Sequence, residues 1–240
     1  MLAIIKSEFK KNKHNTQVYL SLAMLVAVQI ILMTIVIKSF HLSGFGELDT
    51  TDFRRRLLCF AGFSYLFTIF AGAIIGYHFI SKEYLNNTWE LLILGIKNKS
   101  KVICSKFMTA MIFYLFYQVL AITGFTMITK TYFKNEIEWS FFFVVLMATV
   151  TCNLLFYVLQ LSAHFLIPNA MTALTFSLLL VIIPIFLGKS MLFTEIIPLM
   201  SISYIVTSME FSISHFILLA CWTIIVSSLT IIGVSKYFRL

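Results

Sequence analysis

Charge is what this chain has least of. Asp, Glu, Lys and Arg make up 12% of its 240 residues, while hydrophobic residues make up 60%. An average globular domain carries about 25% charged and roughly 45–50% apolar residues, so a soluble fold is excluded. The four cysteines, Cys59, Cys104, Cys152 and Cys221, are scattered and form no CxxC pair. They define neither a disulfide framework nor a metal-ligand spacing. No HExxH, paired HxxxH or GxSxG occurs, and the five histidines stand near the ends of apolar runs, so no catalytic residue and no metal site is expected. Gly188-Lys189-Ser190 spells the tail of a phosphate-binding loop, but Ile183 occupies the place of its first glycine. The loop also needs a strand before it and a helix after it. The chain is therefore expected to carry no ATP site of its own.

What is abundant is membrane-length apolar sequence. Six runs stand out, near Gln17–Ile37, Leu57–Ile80, Phe107–Ile128, Trp139–Phe165, Asn169–Leu187 and Ser214–Ser235. Each is close to the roughly 20 residues needed to cross a bilayer as a helix. The expected fold is an all-α integral membrane protein with six transmembrane helices in one domain, residues 1–240, without repeats or linkers. No cleavable signal peptide is visible, because the basic start leads into a full-length apolar run.

With both termini inside, eleven lysines and arginines oppose three acids on the inner side, and seven oppose seven outside. The formal charge of +8 then lies wholly on the inner face. That is the positive-inside pattern, and it accounts for the basic balance without nucleic acid. Arg54, Arg55 and Arg56 are the discordant group, which Glu47, Asp49 and Asp52 can balance. The leader, residues 1–16, places Leu2, Ile5 and Phe9 on one helical side among lysines, the pattern of an interfacial helix. Between the fifth and sixth runs, apolar sequence broken by Glu195, Pro198 and Glu210 reads as short helices sunk in the outer leaflet.

The six runs contain no ionisable carboxylate, lysine or arginine. Their stronger polar groups are Gln29, Gln118, Asn153 and Gln160. Amides inside a membrane either tie helices together or line a substrate pathway, and both roles stay open here. A carrier driven by an ion gradient usually holds an intramembrane ionisable group, and its absence disfavours that class.

The longest polar interruption is Ser81–Phe107, SKEYLNNTWELLILGIKNKSKVICSKF. On a helical wheel Leu85, Trp89, Leu92 and Ile96 share one side, and Glu83, Asn86, Asn87, Glu90 and Lys97 fall opposite. Lys97, Lys99, Lys101 and Lys106 follow as a basic cluster suited to an anionic inner surface. An amphipathic, basic element with almost nothing else outside the lipid is suited to docking a soluble partner.

This segment resembles the region between the second and third spans of ABC-2 transporter permeases. The matching positions are Glu83, Asn87-Thr88, Leu91-Leu92, Ser100-Lys101 and Lys106, and the leader Ile4-Ile5-Lys6-Ser7-Glu8-Phe9-Lys10 is similar to the family's start. Asn87 replaces the usual small residue, and Gly95-Ile96 stands where a proline often follows the leucines. The resemblance implies a permease paired with a second identical or related copy and with two separate ATP-binding cassette subunits. ATP and Mg would bind those subunits, and no cofactor would bind this chain. Residues 81–106 would form a cytoplasmic coupling helix, with Glu83, Thr88, Glu90, Leu91, Lys97, Ser100 and Lys101 at the ATPase contact. Small members of this kind look like bacterial cytoplasmic-membrane exporters of amphipathic peptides such as lantibiotics, bacteriocins or toxins. An ion-coupled carrier and a non-transporting membrane scaffold are the alternatives.

Overall fold

The computed structural model describes residues 2–12, 15–42, 53–89, 99–134, 136–187 and 213–238. Among them every regular element is helical: α1 (Leu2–Asn12), α2 (Thr16–Leu42), α3 (Phe53–Gly76), α4 (Lys82–Leu85), α5 (Lys99–Tyr132), α6 (Trp139–Leu166), α7 (Ala170–Leu187) and α8 (Ile213–Tyr237). A wider π-helical turn, Tyr77–Ser81, joins α3 to α4 without a break in direction. Among the described residues, five helical runs are long and apolar enough to cross a membrane: Thr16–Lys38, Phe53–Leu85, Lys99–Tyr132, Trp139–Leu166 and Ala220–Tyr237. The apolar α7 has 18 residues, about 27 Å at 1.5 Å per residue.

Helices run past the apolar stretches that mark them in sequence. The second run was expected to start at Leu57, yet α3 starts at Phe53, and α5 begins two turns before Phe107. Hydropathy stops at the first charges, whereas backbone hydrogen bonds continue into water. The segment expected to form outer-leaflet helices, residues 188–212, lies outside the described residues, as do Gly188-Lys189-Ser190 and Glu47, Asp49 and Asp52.

α1 and the residue that follows α8 lie at one end of the bundle, here called the near end. There Glu8 of α1 meets Lys106, and Phe238 beyond α8 packs on Trp89. At the far end Arg54 binds Glu138 with a shortest contact of 2.6 Å. The Arg56 guanidinium lies 3.8 Å from the Phe133 ring centroid. Glu138 and Phe133 thus face two of the far-end arginines, and the acids expected to balance them lie outside the described residues.

The central pair is α3 and α6, which run parallel. Along α3, Ser64, Thr68, Gly72 and Gly76 recur every fourth residue, so one face of the helix is made of small groups. Small faces let helix backbones approach closely in lipid. A Cβ added at Gly72 would stand 3.2 Å from the Gln160 side chain, and one at Gly76 would fall within the His164 ring. The near half of the core stacks Tyr114 on Tyr157, centroids 4.6 Å apart, and Phe107 on Phe165 at 4.7 Å. The far half stacks Phe60 on Phe125 at 4.4 Å. Leu20, Met24, Ile31, Phe143, Met147 and Leu229 point outward, an apolar exterior expected where lipid is the solvent.

Candidate functional site

The element singled out in sequence begins as expected but is not one amphipathic helix. It ends at Leu85 in a left-handed stop: Asn87 has φ 52°. Its N–H donates to Tyr84 O at 3.1 Å, and the Thr88 N–H donates to Glu83 O at 3.0 Å. This is the 6→1 and 5→2 bonding of a Schellman cap, with asparagine in the position that glycine usually fills. The helical wheel spanning Leu85 and Trp89 therefore fails. Leu85 is 61% exposed, while Trp89 is 2% and Glu83 5% exposed. The carboxylate expected on the solvent side is buried.

Its burial is explained by what surrounds it. The Lys106 ammonium donates to Glu83 Oε1 at 2.7 Å, to Glu8 Oε2 at 3.2 Å and to the Phe79 carbonyl at 3.2 Å. An ammonium has three protons and no acceptor, so three partners saturate it. The Phe79 carbonyl belongs to the π turn, where Lys82 N–H reaches back to Tyr77 O. Lys11 adds a second cation to Glu83 Oε1 at 2.7 Å. Lys106, expected among solvated inner-face lysines, has a side chain only 1% exposed. Buried ions are tolerated when they are paired and hydrogen-bonded, and here each cation faces a carboxylate.

An aromatic box closes over the ion cluster. Lys106 Nζ lies 5.3 Å from the Trp89 ring centroid, within cation–π range. Trp89 packs against Phe238 at 4.9 Å, Tyr84 at 5.4 Å and Phe165 at 6.0 Å, while the Tyr84 hydroxyl donates to Phe165 O at 2.8 Å. The start of the 81–106 segment is thus clamped by α1, α5, the end of α6 and the residue after α8. The inward stripe of α1 is Ile5, Glu8 and Asn12, which turns the leader toward protein. Phe9 remains 39% exposed. Its expected Leu2–Ile5–Phe9 face was drawn without Lys106 as a partner for Glu8.

Of the positions assigned to a partner contact, Glu83 is in the ion cluster and Thr88 is half-buried in the cap. Ser100 and Lys101 are exposed at the start of α5. Glu90, Leu91 and Lys97 lie outside the described residues. Lys99, one residue before Ser100, holds its ammonium 5.0 Å from the Phe238 ring centroid.

The four membrane amides do not form one cluster. Tyr117 donates to Gln29 Oε1 at 2.6 Å, Gln118 to Thr68 Oγ1 at 2.6 Å, and Asn153 to Ser64 Oγ at 2.7 Å. Gln160 donates to Ala173 O at 3.1 Å and faces His164 Nε2 at 3.3 Å. An NH₂ only donates, so the His164 ring proton sits on Nδ1 and points at Ser81 Oγ, 2.8 Å away. Each amide joins two helices or two turns, which is the helix-tying role. Each also leaves one buried atom unpaired: Gln29 Nε2, Gln118 Oε1, Asn153 Oδ1 and Gln160 Oε1. Sequence reasoning missed His164, Gly76 and the Glu8–Lys106 pairing. Only the Asn-Asn-Thr helix stop was available as a signal.

Comparison with known proteins gives one finding. The family described as ABC-2 family transporter protein matches residues 4–188, more than three quarters of the chain. The match takes in α1 to α7 and the whole near-end cluster apart from Phe238. No curated protein and no solved structure matches.

Proposed function

The chain belongs to the ABC-2 transporter family, and on that premise we propose how it uses ATP bound elsewhere to move a peptide. Membership makes it an integral membrane component of an ABC transporter, with hydrolysis in a separate ATPase subunit. Two such ATPases and a second permease copy, identical or related, complete the proposed assembly. The near end faces the cytoplasm of a bacterium, both termini are inside, and ATP with Mg binds the partner subunits.

The observation that carries this reading is the saturated Lys106 ion cluster. It welds the segment between the second and third long helices to α1, α5 and α6. A push on Ser100, Lys101 and the residues before them would not be absorbed locally, because the Lys106 ammonium at the base of that segment is buried with all three protons bonded. Rigid-body tilting of packed helices is the consequence. Tilting that parts the helices would uncover the buried, unpaired atoms of Gln29, Gln118, Asn153 and Gln160 to a substrate with amide groups. An amphipathic antimicrobial or toxin peptide has such groups, and it can enter sideways from the bilayer.

Copurification followed by reconstitution tests the proposal. An ATP-binding subunit should travel with the chain, and vesicles holding both should export an amphipathic peptide only when ATP is supplied. Transport on an ion gradient by this chain alone would sink it.

A further inference from the structure

We propose that a near-end cavity between the end of α1, the π turn and α4 holds the headgroup of a phospholipid bearing both a phosphate and a hydrogen-bond donor, as phosphatidylglycerol and phosphatidylethanolamine do. The cavity has a volume of about 370 Å³ and is lined by Lys11, Asn15, His78, Lys82, Glu83 and Asn86 among others. That size suits a small ligand.

Its chemistry has two halves. The Lys82 side chain is exposed and has no ion-pair partner among the described residues, and Lys11 leaves its side chain 56% exposed while holding Glu83. Together with the amides of Asn15 and Asn86 they make a donor-rich, cationic wall, which fits a phosphodiester. In the same lining Glu83 Oε2 is buried with nothing to accept from, and His78 Nδ1 is likewise unpaired. A buried carboxylate oxygen left alone is costly. A bare phosphate would not relieve it, and a bare cation would meet Lys11 and Lys82. A ligand carrying phosphate and a hydroxyl or ammonium satisfies both halves.

Lipid is the source because the cavity opens at the ends of apolar helices. Leu20 and Met24 on α2 and Leu85 beside Asn86 are exposed, so acyl chains have apolar surface next to the headgroup. Basic pockets at helix ends are where anionic headgroups bind. The site does not depend on the transported substrate. A lipid seated there would tie α1 and α2 to the base of the coupling segment.

The test uses the purified full chain, delipidated and then exposed to vesicles of phosphatidylglycerol, phosphatidylethanolamine or phosphatidylcholine, with retained lipid read by native mass spectrometry. Phosphatidylcholine has phosphate but no donor, so its retention should be roughly tenfold lower, the scale of one hydrogen bond to a charged group. Lys82→Gln should lower retention of the first two lipids by a similar factor, and Lys82→Arg should keep it. Equal retention of all three lipids, or no change in Lys82→Gln, overturns the proposal. So does displacement by millimolar sn-glycerol 3-phosphate, which would mark a soluble phosphate site. Loss of ATPase copurification in Lys82→Gln with lipid retention intact would mark a protein contact instead, and equally overturns it.

Discussion

The two ends of the bundle use the same residue types in opposite ways. At the near end Lys106, Glu83 and Glu8 are side chains 1–6% exposed and paired with one another. At the far end Arg54 and Glu138 form a bidentate pair with side chains 57% and 39% exposed. Exposed pairs contribute little to stability, whereas removing one member of a buried pair strands its partner without water. The near-end ions are therefore costly to part, and the Arg54–Glu138 pair is cheap to part.

Lys106→Met breaks the comparison hardest. It strands Glu8, leaves Glu83 with Lys11 alone, and should destabilise by about 3–5 kcal/mol, read as a large drop in melting temperature in detergent. A melting temperature close to the parent's would mean the cluster is not the clamp described. Gly76→Ala comes next, since its methyl falls within the His164 ring. Overpacking of this kind costs about 1–3 kcal/mol. Gly72→Ala, with its nearest contacts at 3.2 Å, should cost visibly less in the same assay.

Asn87 sharpens the comparison at the segment that follows α4. Its left-handed conformation favours glycine over any side chain with a Cβ. Asn87→Gly should hold the cap, whereas Asn87→Ala should weaken it by about 1 kcal/mol. Limited proteolysis between residues 86 and 98 is the readout, and equal cleavage of both variants would count against the cap.

The far-end pair should give the smallest effect, visible only against pH. Hydrogen bonds from the Arg54 guanidinium hold the Glu138 carboxyl below the usual glutamate range. A depressed carboxylate pKa contributes stability above the unfolded value and loses it as pH falls through the folded value. Acidification below the ordinary carboxylate range should loosen the parent's far end slightly and leave Arg54→Ala unaffected. Arg54→Ala at neutral pH should barely move the melting temperature. A drop matching that of Lys106→Met would erase the contrast between the ends.

How much was legible in sequence follows from the range of each interaction. Helix positions were legible because a membrane span is a local property of about 20 consecutive residues. Trp139–Phe165 was expected, and α6 runs Trp139–Leu166. The four amides could be named but not paired. Gln29 meets Tyr117 across 88 positions, and Asn153 meets Ser64 across 89. The exposure of Glu83 was misjudged because its wheel ignored the Asn87 stop and placed every charge in water.

Apolar length and sparse charge by themselves determined that this chain crosses a membrane. Those are sums over neighbouring residues and need no partner. The burial of Lys106 was decided only by tertiary structure, since its carboxylates lie 23 and 98 residues away. A lone lysine belongs in water, and the same lysine with three acceptors around its ammonium belongs in the core.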